Sequence, residues 1–249
     1  MDRDVQPEIL DELSPTDPSA VHSRADLRRL NAIMGNAGIL ARALDPRSIV
    51  PLSGRRPLRL VELGAGDGTV LLSVARRWAR LGIQAKLTLL DRHDLTSAET
   101  IEAFAALGWT IEHRAMDVFA WLEQPSIPVD LVFANLFLHH FRTEPLTRLM
   151  RLAGERTSYL LVCEPRRSNL ALAASKLLWL LGCNGVTRHD AAVSVRGGFS
   201  DQDLSSLWAW SDGWELTEGP QGLFSHVFIA KRGLPRTMDS PSSPVAARP

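Results

Sequence analysis

Short apolar runs at residues 58–63, 86–90, 110–113, 131–134 and 159–163 alternate with segments long enough for helices. That alternation predicts β-strands joined by helical crossovers, and hence a parallel sheet wound in the right-handed sense. The pattern then changes. Runs at 214–218 and 223–230 are separated only by Gly219-Pro-Gln-Gly222, a turn so short that the two strands it joins must be antiparallel. Upstream, Leu27, Leu30, Ile33, Met34, Ala37 and Leu40 recur at spacings of three and four, an amphipathic helix or helix pair over 23–44 broken near Gly35 and Gly38. Residues 1–21 are polar and carry Pro7, Pro15 and Pro18, so a mobile tail is expected there. Residues 232–249 repeat Pro and Ser without an apolar period and are expected to fray. One domain over 22–231 follows, with a helical cap at 22–50 and an insertion at 165–212.

Composition narrows the possibilities. A chain of 249 residues with 45% hydrophobic content suits one α/β domain. Its 28 basic and 28 acidic side chains cancel, which leaves no electrostatic footprint for nucleic acid. The only cysteines, Cys163 and Cys183, lie far apart with no ligand spacing, so neither a disulfide scaffold nor a structural metal is expected. The first twenty residues lack a basic stretch followed by an apolar one, and therefore no export signal is read. The greasiest window, 170–183, spans 14 residues and contains Lys176. A bilayer span needs roughly 18–20. A soluble, cytoplasmic protein is expected.

The stretch from Leu58 to Leu72 carries the candidate chemistry: an apolar strand ending in Glu62, the turn Gly64-Ala65-Gly66-Asp67-Gly68, and the start of a helix. Glycines there allow positive φ and let a ligand approach the backbone. The dinucleotide fingerprint places its third glycine at the sixth position, which here is Thr69. Glu62 and Asp67 would repel a pyrophosphate and attract a cation, favouring the sulfonium and ammonium of S-adenosyl-L-methionine over NAD. Asp91 ends the second strand, where a carboxylate can accept from both hydroxyls of a ribose. Asp117 and Val118 follow the third strand and offer an adenine a carboxylate and an apolar contact; Asp117 equally suits a helix N-cap. The fourth strand runs into Asn135-Leu136-Phe-Leu-His139-His140-Phe141.

Taken in order, ELGAGDGT, LLD, AMDVF, VDLVFANLFLHHF and LLVCEPRR resemble the motif series of class I S-adenosylmethionine-dependent methyltransferases, especially those acting on small molecules, over roughly residues 55–230. The resemblance implies a Rossmann-like, seven-stranded, mostly parallel α/β sheet with a C-terminal antiparallel hairpin and helices on both faces. It implies that Glu62, Gly64, Ala65, Gly66 and Gly68 line the donor's methionine part. Asp91 and Arg92 would lie by the ribose, Asp117 and Val118 by the adenine, and Asn135 and Leu136 by the amino-acid end. The Asn/Asp-Pro-Pro-aromatic signature of amino-methylating nucleic-acid enzymes is absent.

Methyl transfer is an in-line displacement that needs alignment and a dry site, plus a base if the acceptor is a hydroxyl. Candidate bases are His139, His140 and His189, the last beside Asp190 in the insertion. Each also admits a plain structural reading, as a packing or capping histidine or as part of an exposed loop. The apolar 170–183 segment points to a lipophilic or aromatic small acceptor, methylated at oxygen. The competing readings are a nucleotide-dependent oxidoreductase, a macromolecule methyltransferase and a non-catalytic donor-binding module.

Overall fold

The computed structural model describes residues 1–50, 56–125, 128–209 and 212–233. Strands β1 (Leu58–Leu63), β2 (Ala85–Asp91), β3 (Thr110–Ala115), β4 (Leu131–Asn135), β5 (Tyr159–Pro165), β6 (Trp214–Gln221) and β7 (Ser225–Arg232) form a sheet in the order β3-β2-β1-β4-β5-β7-β6. β1 to β5 pair in parallel, while β7 is antiparallel to both β5 and β6. The parallel sheet closed by an antiparallel hairpin is the topology expected from the sequence.

Alternation along the central strands supplies two cores. Leu131 and Phe133 of β4 face one core, with Leu71, Val74 and Trp78 of helix α4 (Thr69–Ala79) and Ile39 and Leu40 of α3 (Asn36–Ala43). Val132 and Ala134 face the other, with Val118 of α6 (Val118–Leu122) and Leu146, Leu149 and Met150 of α7 (Thr143–Arg156). Every residue of β4 and β5 is buried, as expected for strands covered on both faces. Helix α5 (Ala98–Ala105) completes the first layer through Phe104.

The predicted amphipathic region is two helices, α2 (Pro18–Met34) and α3, broken where Gly35 takes φ +71°. The insertion folds as α8 (Asn169–Ser175), a 3-10 turn at Leu178–Leu181 and α9 (Gly185–Gly197). The hairpin turn lies later than expected. Gly219 and Pro220 are paired within β6, and the chain reverses at residues 222–224. Proline is tolerated because β6 is an edge strand, with one side free of ladder bonds.

The expectation of a free N-terminal tail does not hold. Residues 9–12 form the short helix α1 (Ile9–Glu12), whose first amides, of Ile9 and Leu10, donate to the Asp190 carboxylate at 2.9 Å each. Arg3 donates to the carbonyls of Gly197 and Phe141, both at 2.8 Å. Polar anchors, not apolar burial, offset the ordering cost of this segment. Of the expected C-terminal tail, 234–249 lie outside the described residues. Among the described residues no helix is long and apolar enough to cross a membrane.

Candidate active site

A cavity of about 1080 Å³ opens at the C-terminal ends of β1, β2 and β4, the edge where open α/β sheets hold ligands. Its floor is the glycine turn. Gly64 and Gly66 take φ +66° and +55°, and Ala65 is pinned by its amide to the Leu90 carbonyl at 3.0 Å. The Gly66 amide donates to Asp91 Oδ2 at 2.8 Å, fixing turn and carboxylate relative to one another. Its roof is the N-terminal segment with α2, and its side wall is the insertion.

Two buried acceptors face this floor without a protein partner: Glu62 Oε2 and Asn135 Oδ1. Burial holds the Glu62 carboxyl well above its ordinary range, and the charges of Asp67 and Asp91 push it further. An unpaired buried acceptor costs stability unless a ligand donates to it. A ligand cation bearing N–H donors would satisfy both atoms, so the residues present fit the ammonium end of S-adenosylmethionine. Leu136 next to them holds φ +52°, a conformation unusual for a non-glycine and found preferentially at functional sites.

Of the residues predicted to bind the donor, Glu62, Gly64, Ala65, Gly66, Asp91, Arg92, Val118, Asn135 and Leu136 line the cavity. Two do not. Gly68 caps α4, and a Cβ there would meet Leu89 Cδ1 at 2.9 Å, so this glycine serves helix–strand packing. Asp117 caps α6, with Oδ1 accepting from the Phe119 and Ala120 amides at 2.9 and 3.2 Å, and its other oxygen lies 3.6 Å from Arg92. The cap accounts for one oxygen of this aspartate.

The three histidines separate clearly. His189 does not line the cavity. Its ring is half exposed and sits 2.9 Å from Asp190, whose carboxylate is already used to cap α1. His189→Ala is therefore expected to leave turnover within about twofold in a steady-state assay. Asp190→Ala should lower stability by about 1–2 kcal/mol, the value of a lost cap, and expose residues 1–13 to proteolysis.

His139 lines the cavity but is enclosed. Its Nδ1 lies 2.7 Å from Glu164 Oε2 and its Nε2 3.2 Å from Glu8 Oε1, and Ser194 Oγ also donates to Glu8. Burial pulls the imidazole pKa down, but the hydrogen bonds to Glu164 and Glu8 outweigh it and raise the pKa from 6.5 to about 9. A histidine that stays protonated at neutral pH, with both nitrogens engaged, is a poor base. Glu8, His139 and His140 bring potential metal-ligand atoms within 4.8 Å of one another, yet the two carboxylates leave His139 no nitrogen for an ion.

His140 is partly exposed to the cavity, with Nδ1 3.2 Å from Asp11 Oδ2. Burial pushes the Asp11 carboxyl up, but the hydrogen bond and charge of His140 more than offset this and lower it. Phe137 links acceptor and donor ends, its ring 6.5 Å from that of His140 and its edge over Gly64.

Sequence reasoning missed Glu8, Asp11, Arg28 and Asn31. The first two lie in the presumed tail. Arg28 pairs with Asp67 at 3.0 Å, and Asn31 accepts from Asn135 Nδ2 at 3.2 Å; both project from α2 over the turn. Their signal was present only as polar positions on a helix read for its apolar stripe.

No family model matches the chain. The chain is 27% identical over 183 residues to a trans-aconitate 2-methyltransferase from Streptomyces avermitilis, covering 68% of this chain and 63% of that protein. A porphobilinogen deaminase from Burkholderia ambifaria is 31% identical over 122 residues, covering 46% of this chain and 36% of that protein. The chain thus spans less than two thirds of the length of either curated relative. Among solved structures, the plantazolicin methyltransferase BpumL in complex with SAH aligns over 87% of this chain and 91% of its own, at 13% identity and TM-score 0.59. The mitomycin 7-O-methyltransferase MmcR aligns over 90% of this chain and 60% of its own, at 20% identity and TM-score 0.59. The fold is that of the class I S-adenosylmethionine-dependent methyltransferases.

Proposed function

We propose that this protein transfers a methyl group from S-adenosyl-L-methionine to an oxygen of a small lipophilic or aromatic acceptor. The observation that carries the donor half is the pair of unpartnered buried acceptors, Glu62 Oε2 and Asn135 Oδ1, beside a left-handed glycine turn. When bound, the donor supplies a methyl group activated on a sulfonium, whose displacement leaves a neutral thioether. Glu62 and Asn135 would accept from the donor's ammonium, and Asp91, its carboxylate set by the Gly66 amide, would accept from the ribose hydroxyls. The likeness of curated and structural neighbours that are methyltransferases supports the same reading.

At the acceptor end, His140 takes the proton that an acceptor hydroxyl must lose as its oxygen bonds to carbon, and Asp11 orients the ring and steadies the charge it gains. The cavity's volume matches the upper range of small-ligand sites, room for a nucleoside with a second molecule beside it. His140→Ala is expected to lower kcat about a hundredfold, the lower end of general-base effects, while donor affinity stays within about twofold. The residual rate should lose its dependence on the imidazole in a pH profile; an unchanged kcat would remove His140 from the mechanism.

The overall assignment is tested with methyl-labelled donor and a cell extract, separated into organic-soluble and acid-precipitable fractions. Label in the organic phase is the expected result, and label only in the precipitate would replace the small acceptor with a macromolecule. In parallel, S-adenosylhomocysteine at a hundred times its Kd should stabilise the protein by about 2.7 kcal/mol in thermal unfolding, and NAD should not.

A further inference from the structure

We propose that the insertion docks on an anionic lipid surface, placing the cavity mouth against the membrane. The four residues of the 3-10 turn Leu178–Leu181 are all large and apolar, and none is buried. Trp179 is 57% exposed, Leu180 62%, Leu177 53% and Leu170 on α8 55%. Ile33 of α2, 61% exposed, continues this surface across the cavity rim, where it and Leu177, Leu180 and Leu181 form part of the lining. Arg29 ties the two elements together, reaching the Leu181 carbonyl while pairing with buried Asp26.

Consecutive exposed leucines flanking a tryptophan are costly in water and mark an interaction surface. The charge around them selects the partner. From Arg166 to His189 the sequence contains four Lys or Arg and no Asp or Glu. Lys176 and Arg188, both exposed, lie in the segments that precede and follow the apolar turn. In a chain whose net charge is zero, an acid-free stretch around an apolar surface complements an anionic headgroup layer, into whose boundary Leu and Trp insert. A turn of four residues can seat its side chains without spanning anything, consistent with a peripheral contact. The location adds a purpose: the apolar rim of the cavity is continuous with the docked surface, so a lipophilic acceptor of the kind proposed above would pass from lipid to site without crossing water. This last step rests on that reading; the docking does not.

The test is flotation of the full-length protein with vesicles of phosphatidylcholine alone or mixed with phosphatidylglycerol, with no donor or acceptor present. Binding to the anionic vesicles is expected to exceed that to the neutral ones at least tenfold, since each cation near such a surface contributes about fivefold. It should fall in high salt, and Trp179→Ser with Leu170→Ser, neither of which lines the cavity, should reduce it by a similar factor. Lys176→Glu should weaken binding without altering secondary structure by circular dichroism. Absence of binding to anionic vesicles, or equal binding by the double variant, would overturn the proposal. So would a sedimentation profile in which the wild type is a dimer and the double variant a monomer, since a second copy would then be the occupant. Because the readout involves no methyl transfer, its failure is distinct from failure of the proposed activity.

Discussion

Gly64→Ala is expected to abolish donor binding and to lower stability by about 2–5 kcal/mol. Two costs combine. Alanine in the left-handed conformation that Gly64 holds at φ +66° is disfavoured by about 1–2 kcal/mol. Its Cβ would also lie 2.2 Å from Cδ2 and 2.6 Å from Cγ of the Phe137 ring, and relieving such an overlap costs about 1–3 kcal/mol. The ring cannot retreat freely, because the Phe137 amide is held by Glu164 at 2.9 Å and its ring makes a T-shaped contact with Phe141 at 5.1 Å between centroids. Displacing Phe137 therefore disturbs the segment carrying Asn135 and His140 as well as the turn. Gly66→Ala is the control: its φ is +55°, but a Cβ there meets nothing within 4 Å. That variant should lose only about 1–2 kcal/mol of stability while still losing the thermal shift produced by S-adenosylhomocysteine, because Gly66 lines the cavity where the donor is proposed to lie. Equal melting temperatures for the two variants would contradict the close approach of Phe137, and a full ligand shift in Gly66→Ala would contradict a donor lying on the turn.

The contrast between these glycines marks how far the sequence can be read. The strand, turn and helix around ELGAGDGT are local, so apolar run, glycine spacing and helix period located them together, and β1 occupies 58–63 as read. The role of each glycine was not local. Gly68 meets Leu89 and Gly64 meets Phe137, contacts set by the packing of strands and loops that come later in the chain. Asp117 illustrates a different ambiguity, since a carboxylate after a strand and before a helix has the same signature whether it caps the helix or holds a ligand. His189 and Asp190 are partners as the sequence suggests, 2.9 Å apart, but neither lines the cavity. Asp190 is buried under α1 while His189 faces solvent. Glu8 and Asp11 were invisible for the opposite reason. Their partners His139 and His140 lie some 130 positions away, and a polar, proline-containing segment carries no period that announces where it will dock.

That docking meets a buried carboxylate, Glu164, through His139. Glu164→Gln is expected to destabilise the protein by about 3–5 kcal/mol, the cost of removing one partner from a buried charged pair. Glu164 is fully buried and accepts from the amides of Phe137 and Leu138 at 2.9 and 2.7 Å, from the His139 amide at 3.4 Å and from the His139 ring at 2.7 Å. A glutamine would turn an N–H toward the imidazole or withdraw an acceptor from the amides. The same network gives stability a defined pH dependence. The His139 pKa is raised from 6.5 to about 9 in the folded state, so its contribution is complete below pH 6.5 and is lost as pH rises through about 9. A shift of this size corresponds to about 3 kcal/mol. Glu8 acts from the other side. Burial pushes its carboxyl up, but the hydrogen bond and charge of His139, with the charge of His140 and the hydrogen bond from Ser194, together outweigh this and lower it from 4.5, so its contribution is present above pH 4.5 and is lost as pH falls through the lowered value. Stability from this cluster should therefore be greatest between about pH 4.5 and 6.5 and decline toward pH 9, as read by urea unfolding across that range. In Glu164→Gln the alkaline decline should become shallower, because an imidazole with one carboxylate partner gains less on protonation. An unaltered slope would mean that His139 draws its charge stabilisation from its other carboxylate partner, Glu8 of the N-terminal segment.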